Sequence, residues 1–584
     1  MNIEHVEKSY QELESDSTLQ NLIAQANARY ILYNTEESKE NFPRYTIKDE
    51  QLNILAFKYL NIGCNYFSEH NYLKASHSLE KGALILEYIH GSIHIQTKNK
   101  KLFCLISALS YYVCFQYSKA FILIGKLESD TMISSLVSLF LNRKFDQLLS
   151  EIDKLITNSS YGDEYLAEHF EEDNATKIYE IIIAKSLNYY VQFYQTGNKD
   201  FLEIAKKDLV NLQEVAAMRG EPDVWWVIRL LLLIIDGFKE SSLWYVLGNY
   251  FNTEDKLPLK YIQSLVYKNG SITELFLTQR NSLPKVLNNK QGSIVSIPTS
   301  SGKTRIGEIA ILNCLLNEPK AKILFIAPYR SLAYEIENSF DEIFSNLDVS
   351  VSHLYGGSLF SKLDERIIDE SSVIVATPEK AKALFRSNED ILSCIKLVII
   401  DEGHLLGTDK RLIVNEMFYE ELKYHVKANG GRFLLLSAVL PNAEDLSEWL
   451  TDSTDNVYKE NWRPSDERIG IMEWNGVSVN LNWKSTDAER NSFNPNFIMR
   501  QKLPKKPKER IMHYFPENKN QAIASTAYKL RKFGPVLIFV GIKKSVFAIA
   551  REYEKCIQPE EQKFRFRNKA NWRAFKLACI ESYG

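Results

Sequence analysis

The period of the apolar positions changes partway along the chain. Up to about Gly270, apolar residues recur every three or four positions, as in LVSLFLNRKFDQLLSEIDKLI between Leu136 and Ile156, with few Pro or Gly breaks. That spacing predicts an all-helical region. From Ser293 onward, short apolar runs (SIVSIP, KILFIAP, SVIVATP, LVIIDE and RFLLLSA) alternate with amphipathic stretches. Five such runs predict a parallel sheet with helices on both faces, so the expected class is α followed by α/β. The expected divisions are a helical domain over 1–270, a sheet domain over 271–465, a linker over 466–510 and the beginning of a second sheet domain over 511–584. The most apolar stretch, Val224 to Ile235, contains Arg229 and ends at Asp236. It is too short to span a bilayer, which takes about 20 residues, and reads as a buried helix.

Within the helical half, Tyr59, Ile62, Gly63, Tyr66, Ala75, Leu79 and Ala83 fall on a small-and-large spacing that resembles a tetratricopeptide helix pair. Small residues there let two helices approach while aromatics fill the space between them. A looser echo follows at Ala108, Tyr111 and Ala120, farther on than the usual period of about 34 residues. A repeat array and an irregular helical domain both remain open. Nothing catalytic is concentrated in this half, so scaffolding or docking of a protein partner is its expected role.

Composition narrows the setting. Hydrophobic residues make up 45% and charged residues 25% of the chain, ordinary for a globular protein. The net charge is -3, so there is no global basic field and any nucleic-acid site must be local. The seven cysteines form no CxxC pair, which argues against a zinc ribbon or redox motif and suits reduced thiols in a cytoplasmic protein. The polar, acidic start MNIEHVEKSYQELESD is unlike a secretory signal, and no membrane association is expected.

The sharpest chemistry lies where SIVSI runs into Pro298, Thr299, Ser300, Ser301, Gly302, Lys303 and Thr304, followed by the helical RIGEIAILNCLL. Strand, small-residue loop and helix start together make a phosphate-binding turn, with backbone N–H groups converging on the phosphates of ATP. Gly302 admits close backbone approach, Lys303 brings an ammonium to the phosphates, and Thr304 offers a hydroxyl to Mg²⁺. Pro298-Thr299 stands where the general pattern has its first glycine. The complementary acids close another apolar run: Asp401 to hold Mg²⁺ through water, and Glu402 to orient and deprotonate the attacking water.

With these motifs in order, the chain resembles the superfamily 2 DExH helicases, most of all the superkiller-like (Ski-like) group, from Ile272 to about Ser545. The resemblance implies RecA-like domains, ATP and Mg²⁺, and a nucleic-acid track moved along 3′ to 5′. It implies that Gln279 reads adenine. It implies that Arg330, Gly356, Gly357, Thr377 and Pro378 contact the nucleic-acid backbone. Ser437 and Ala438 match the coupling segment, with Val439 in place of the usual threonine. His404 is implied as a relay between nucleotide and coupling segment; a satisfied structural histidine is the bland alternative. Gly403 departs from the more common Ala, Val, Ile or Cys and is expected to be tolerated. Trp462-Arg463-Pro464 matches the pair that follows the first motor domain, and Val536 to Val540 the opening strand of the second.

The family's later motifs do not follow, so the sequence reads as a fragment, or as needing a second chain, that binds ATP but turns it over slowly. The basic run Arg500 to Arg510 is a candidate phosphate contact, against the commoner reading of a solvated linker. A large helical extension before such a motor also resembles the helicase subunits of bacterial anti-phage systems such as Hachiman, in which the extension holds a nuclease. DNA is expected ahead of RNA as the track. A DNA-repair or RNA-processing helicase, and a nucleotide-gated interaction scaffold, are the alternatives.

Overall fold

The computed structural model describes residues 3–34, 49–91, 100–127, 131–158, 172–352, 366, 368–387, 393–406, 410–438, 440–464, 468–485, 492–503, 512–532 and 534–557. It falls into two compact units. The first comprises Met1–Ser15, Asn53–His90 and Gln96–Ser465; the second comprises Asp16–Leu52, Gly91–Ile95 and Asp466–Gly584.

The helical half of the first unit is built from antiparallel pairs. Helices Asp49–Ser68 and Tyr72–His90 approach so closely that a Cβ on Gly63 would lie 2.5 Å from Leu79 Cγ, and one on Gly82 would lie 2.7 Å from Leu60 Cδ2. Tyr59, Tyr66, Ala75, Leu79 and Ala83 are all buried at this contact, as the small-and-large spacing requires. Helix Pro222–Ser241 begins with proline at its first position and buries nearly all of Val227 to Phe238. No described helix is long and apolar enough to cross a membrane.

The sheet that follows has six parallel strands in the order β3-β2-β4-β5-β1-β6. They are β1 (Gly292–Ser296), β2 (Lys322–Ile326), β3 (Val373–Ala376), β4 (Ile395–Ile400), β5 (Arg432–Ser437) and β6 (Val457–Lys459). The first five are the five apolar runs of the sequence, nearly continuous in burial because helices cover both faces. The sixth was not expected: three residues of partial burial carry no periodic signal. Helical half and sheet share one packed unit. Tyr261 of helix Lys256–Tyr267 donates to Glu308 of helix Lys303–Asn317 at 3.1 Å, and Glu308 is also paired with Arg305.

In the second unit the stretch expected as a linker carries an antiparallel sheet of Arg468–Trp474, Ser478–Ser485 and Ser492–Met499. Its buried Val479, Leu481 and Phe497 pack with Ala522 of helix Lys519–Leu530. Apolar residues alternate at Val479, Leu481 and Trp483, a short signal beside a proline- and lysine-rich run that has the composition of a linker. The run expected to open a second motor domain does not form a strand: residues 535–540 carry no regular secondary structure, and Leu537 and Phe539 are 93% and 90% exposed. No described strand lies beside them to complete a ladder.

Candidate active site

All the strand ends that matter face one edge of the sheet, because every pairing in it is parallel. The turn from Pro298 to Gly302 leaves β1 and opens helix Lys303–Asn317. Ser300 and Gly302 have φ of +70° and +77°. A Cβ on Gly302 would fall 2.0 Å from Gln279 Nε2, so a side chain there is strained at its positive φ and displaces the Gln279 amide. Pro298 and Ser301 are buried while Thr299 and Ser300 are exposed, so the loop presents its middle outward. The first N–H groups of the helix have no intrahelical acceptor, which suits anionic phosphates there.

Gln279 links this turn to the preceding helix. Its Oε1 accepts from the Phe276 N–H at 2.8 Å, and its Nε2 donates to the Gly302 carbonyl at 3.0 Å. Ser301 Oγ donates to the Trp462 carbonyl at 3.3 Å, which brings the Trp462-Arg463-Pro464 segment onto the phosphate turn. That link joins residues 161 apart in sequence.

Asp401 and Glu402 follow β4. Burial, and next the adjacent Glu402 charge, push the Asp401 carboxyl up to about 6, against the opposing Glu402 N–H and Lys303 ammonium. A buried carboxylate, with a threonine hydroxyl in the first turn of helix Lys303–Asn317, makes a hard-oxygen donor set that fits Mg²⁺. Glu402 sits at φ +52°, a strained conformation for a residue with a side chain. Its Oε2 lies 3.2 Å from His404 Nδ1, and the same nitrogen lies 3.4 Å from Ser437 Oγ. His404 Nδ1 thus lies near both the acid that follows β4 and Ser437, the last residue of β5.

A residue not singled out from sequence completes this edge. Ser296, the last residue of β1, donates to the Ala438 carbonyl at 3.3 Å and accepts from the Leu440 N–H at 2.9 Å. One hydroxyl thus ties the phosphate turn's strand to both sides of position 439. A polar residue ending an otherwise apolar strand was the available signal. Gly403 also has a reason the sequence did not supply: a Cβ there would lie 2.6 Å from Leu435 Cγ and Cδ1. The glycine is demanded by packing, not merely tolerated.

Arg330 is exposed and opens the helix after β2, while Thr377 and Pro378 open the helix after β3. An open depression of about 390 Å³ joins these elements to the acids, with Pro328, Tyr329, Pro378, Asp401, Glu402 and Asn415 in its lining. Gly356, Gly357 and Val439 lie outside the described residues, as do Lys505, Lys506 and Lys508 of the basic run.

Residues 277–446 match the family model of the DEAD/DEAH box helicases. This part of the chain is a DEAD/DEAH box helicase domain. The chain as a whole is similar to the Hachiman protein HamB of Bacillus cereus, 39% identical over the full length of this chain and 52% of HamB. It is also similar to the ATP-dependent DNA helicase Hel308 of Thermococcus kodakarensis, 33% identical over 37% of this chain and 18% of that protein. The chain therefore spans about half the length of HamB and less of Hel308. Among solved structures, the DUF1998 helicase MrfA matches 53% of this chain and 42% of its own at 14% identity and a TM-score of 0.36. The helicase domain thus includes the phosphate turn, both acids, His404 and Ser437.

Proposed function

We propose that this chain is the ATP-binding front part of an ATP-dependent DNA helicase or translocase. In this reading Pro298 to Thr304 hold the phosphates, Gln279 reads the base, and Thr304 and Asp401 hold Mg²⁺. Held there, Mg²⁺ would supply neutralisation of phosphate charge. Glu402 orients and deprotonates the attacking water. Arg330, Thr377 and Pro378, together with Gly356 and Gly357, track the strand's phosphate backbone, which carries no base information. Similarity to HamB along the whole chain, and to Hel308 over the helicase domain, supports DNA as the track and an anti-phage role. The helical region then serves as the dock for a protein partner, such as a nuclease.

The observation that carries the proposal is the strand order β4-β5-β1, which sets acids, coupling segment and phosphate turn side by side. His404 and Ser296 cross that order, one on each side of β5. Hydrolysis at Glu402 thereby reaches Ser437 and Ala438 without a hydroxyl at position 439.

The test is ATP turnover by the full-length gene product, with Glu402→Gln as the control, against single-stranded DNA, tailed duplex DNA and RNA. Stimulation by DNA, with Glu402→Gln binding ATP but not hydrolysing it, is the expected result. Stimulation by RNA alone overturns the choice of track. A hydrolytically dead wild type that still binds its protein partner favours the nucleotide-gated scaffold.

A further inference from the structure

The carboxylate of Glu274 is completely buried, with 0% of its side chain exposed. A buried charge is costly unless its oxygens are paired and hydrogen-bonded. Here they are. Tyr112 and Tyr194 donate to Oε1 at 2.7 and 2.8 Å, while Arg143 and Thr273 donate to Oε2 at 2.9 and 2.8 Å. Arg143 also donates to the Ser271 carbonyl at 3.1 Å. The flanking backbone pairs with the end of helix Pro222–Ser241: Leu243 N–H donates to the Thr273 carbonyl, and Leu275 N–H donates to the Ser241 carbonyl. The segment 271–275 is thus clamped by the helical region on both its side chains and its backbone.

That clamp ends four positions before Gln279. The Phe276 ring stacks on Tyr117 at 6.2 Å and meets Trp462 at 5.9 Å, and the Arg143 guanidinium lies 5.4 Å from the Tyr117 ring centre. The Phe276 N–H is the donor that occupies one side of Gln279 Oε1, and the Gly302 carbonyl is the acceptor for Gln279 Nε2. These two backbone groups decide which end of the amide is oxygen and which is nitrogen. An amide so oriented keeps one lone pair and one N–H for a base. That pair of functions complements the N6 donor and N7 acceptor of adenine, and it mismatches guanine, which presents two acceptors there.

We propose that Glu274 is a positioning residue for base recognition: by clamping the segment before Phe276 it orients the Gln279 amide, and so places ATP selectivity under the control of the helical region. The proposal rests on the reading of Pro298 to Thr304 as an ATP site. The control also runs in reverse, since a base that engages Gln279 tightens Phe276 against Tyr117. Coupling between two sites is reciprocal in binding free energy.

The experiment compares the whole chain with Glu274→Gln, and with Tyr117→Leu, which removes the ring under Phe276 without stranding a charge. Binding of Mg-ATP, Mg-GTP and magnesium tripolyphosphate is measured for each. Both variants should lose about tenfold in the preference for ATP over GTP, roughly the effect of losing one oriented hydrogen bond, while tripolyphosphate affinity stays unchanged. A purely structural role would lower the melting temperature and leave the ATP-to-GTP ratio intact, which overturns the proposal. Should Glu274→Gln fail to fold, hydrogen exchange on the wild type decides. A non-hydrolysable ATP analogue should slow exchange in Tyr117–Ile124, and tripolyphosphate should not; equal behaviour of the two overturns the proposal. Failure of wild type to bind any of the three ligands would instead overturn the ATP-site reading itself.

Discussion

At Gly403, two residues beyond the first acid, chemistry and packing give opposite expectations. No reaction needs a side chain there, yet Gly403→Ala drives a Cβ into Leu435 at 2.6 Å. Overpacking of this kind costs about 1–3 kcal/mol, so the variant should melt measurably lower than wild type in a thermal denaturation series. Gly302→Ala differs in kind, because its φ is +77° and its Cβ would meet Gln279 Nε2. It should keep the wild-type circular dichroism spectrum and lose ATP binding in titration calorimetry. His404 and Ser437 lie 3.4 Å apart and should act as a unit. His404→Ala, Ser437→Ala and the double variant should show similar losses of DNA-stimulated turnover in the full-length protein. Additive losses would mean that the two residues work independently.

Among the elements, the first helix, Ile3–Ser15, is held in an unusual way. It buries Val6 and Leu13, and otherwise leans on charge: Lys74 donates to Glu7 at 2.7 Å, and Lys81 donates to Glu14 at 2.6 Å. Tyr66 and Tyr59 add hydrogen bonds to the same two carboxylates. The bond from Lys74, then that from Tyr66, holds Glu7 at about 2, down from its ordinary 4.5. A lowered carboxylate stabilises docking above its unfolded value, and the contribution disappears as pH falls through the folded one. Hydrogen exchange across Ile3–Ser15 should therefore accelerate between pH 4.5 and about 2, after correction for intrinsic rates, ahead of Tyr72–His90. High salt at neutral pH should move it the same way, since exposed pairs are screened over about 10 Å at 0.1 M. The sequence made both this helix and its partners legible as helices. Which carboxylate meets which lysine, 67 positions away, was not legible, because helical periodicity encodes a buried face and not its partner.

Taken as a whole, the first unit joins helical region and helicase domain through Tyr261 with Glu308, Arg280 with the Glu240 carbonyl, and the clamp around Glu274. The two should melt in one cooperative transition in calorimetry of the chain. Two separated transitions would show that these contacts add little. A helicase domain cut out at 271–465 would expose Phe276 and leave Glu308 without Tyr261.

What the sequence determined by itself is the local pattern. The proposed phosphate turn needs only consecutive residues, Gly302, Lys303 and Thr304, at the start of a helix. The acids need only end a buried strand, so both are written in neighbouring letters, and so are five of the six strands. The tertiary structure alone decided what spans distance. It brought Ser296 to Leu440 across 144 residues, and Arg143 to Glu274 across 131. It also gave Gly403 its reason. Such contacts depend on which surfaces happen to pack, and an apolar or polar period records only that a face is buried, never what it will be buried against.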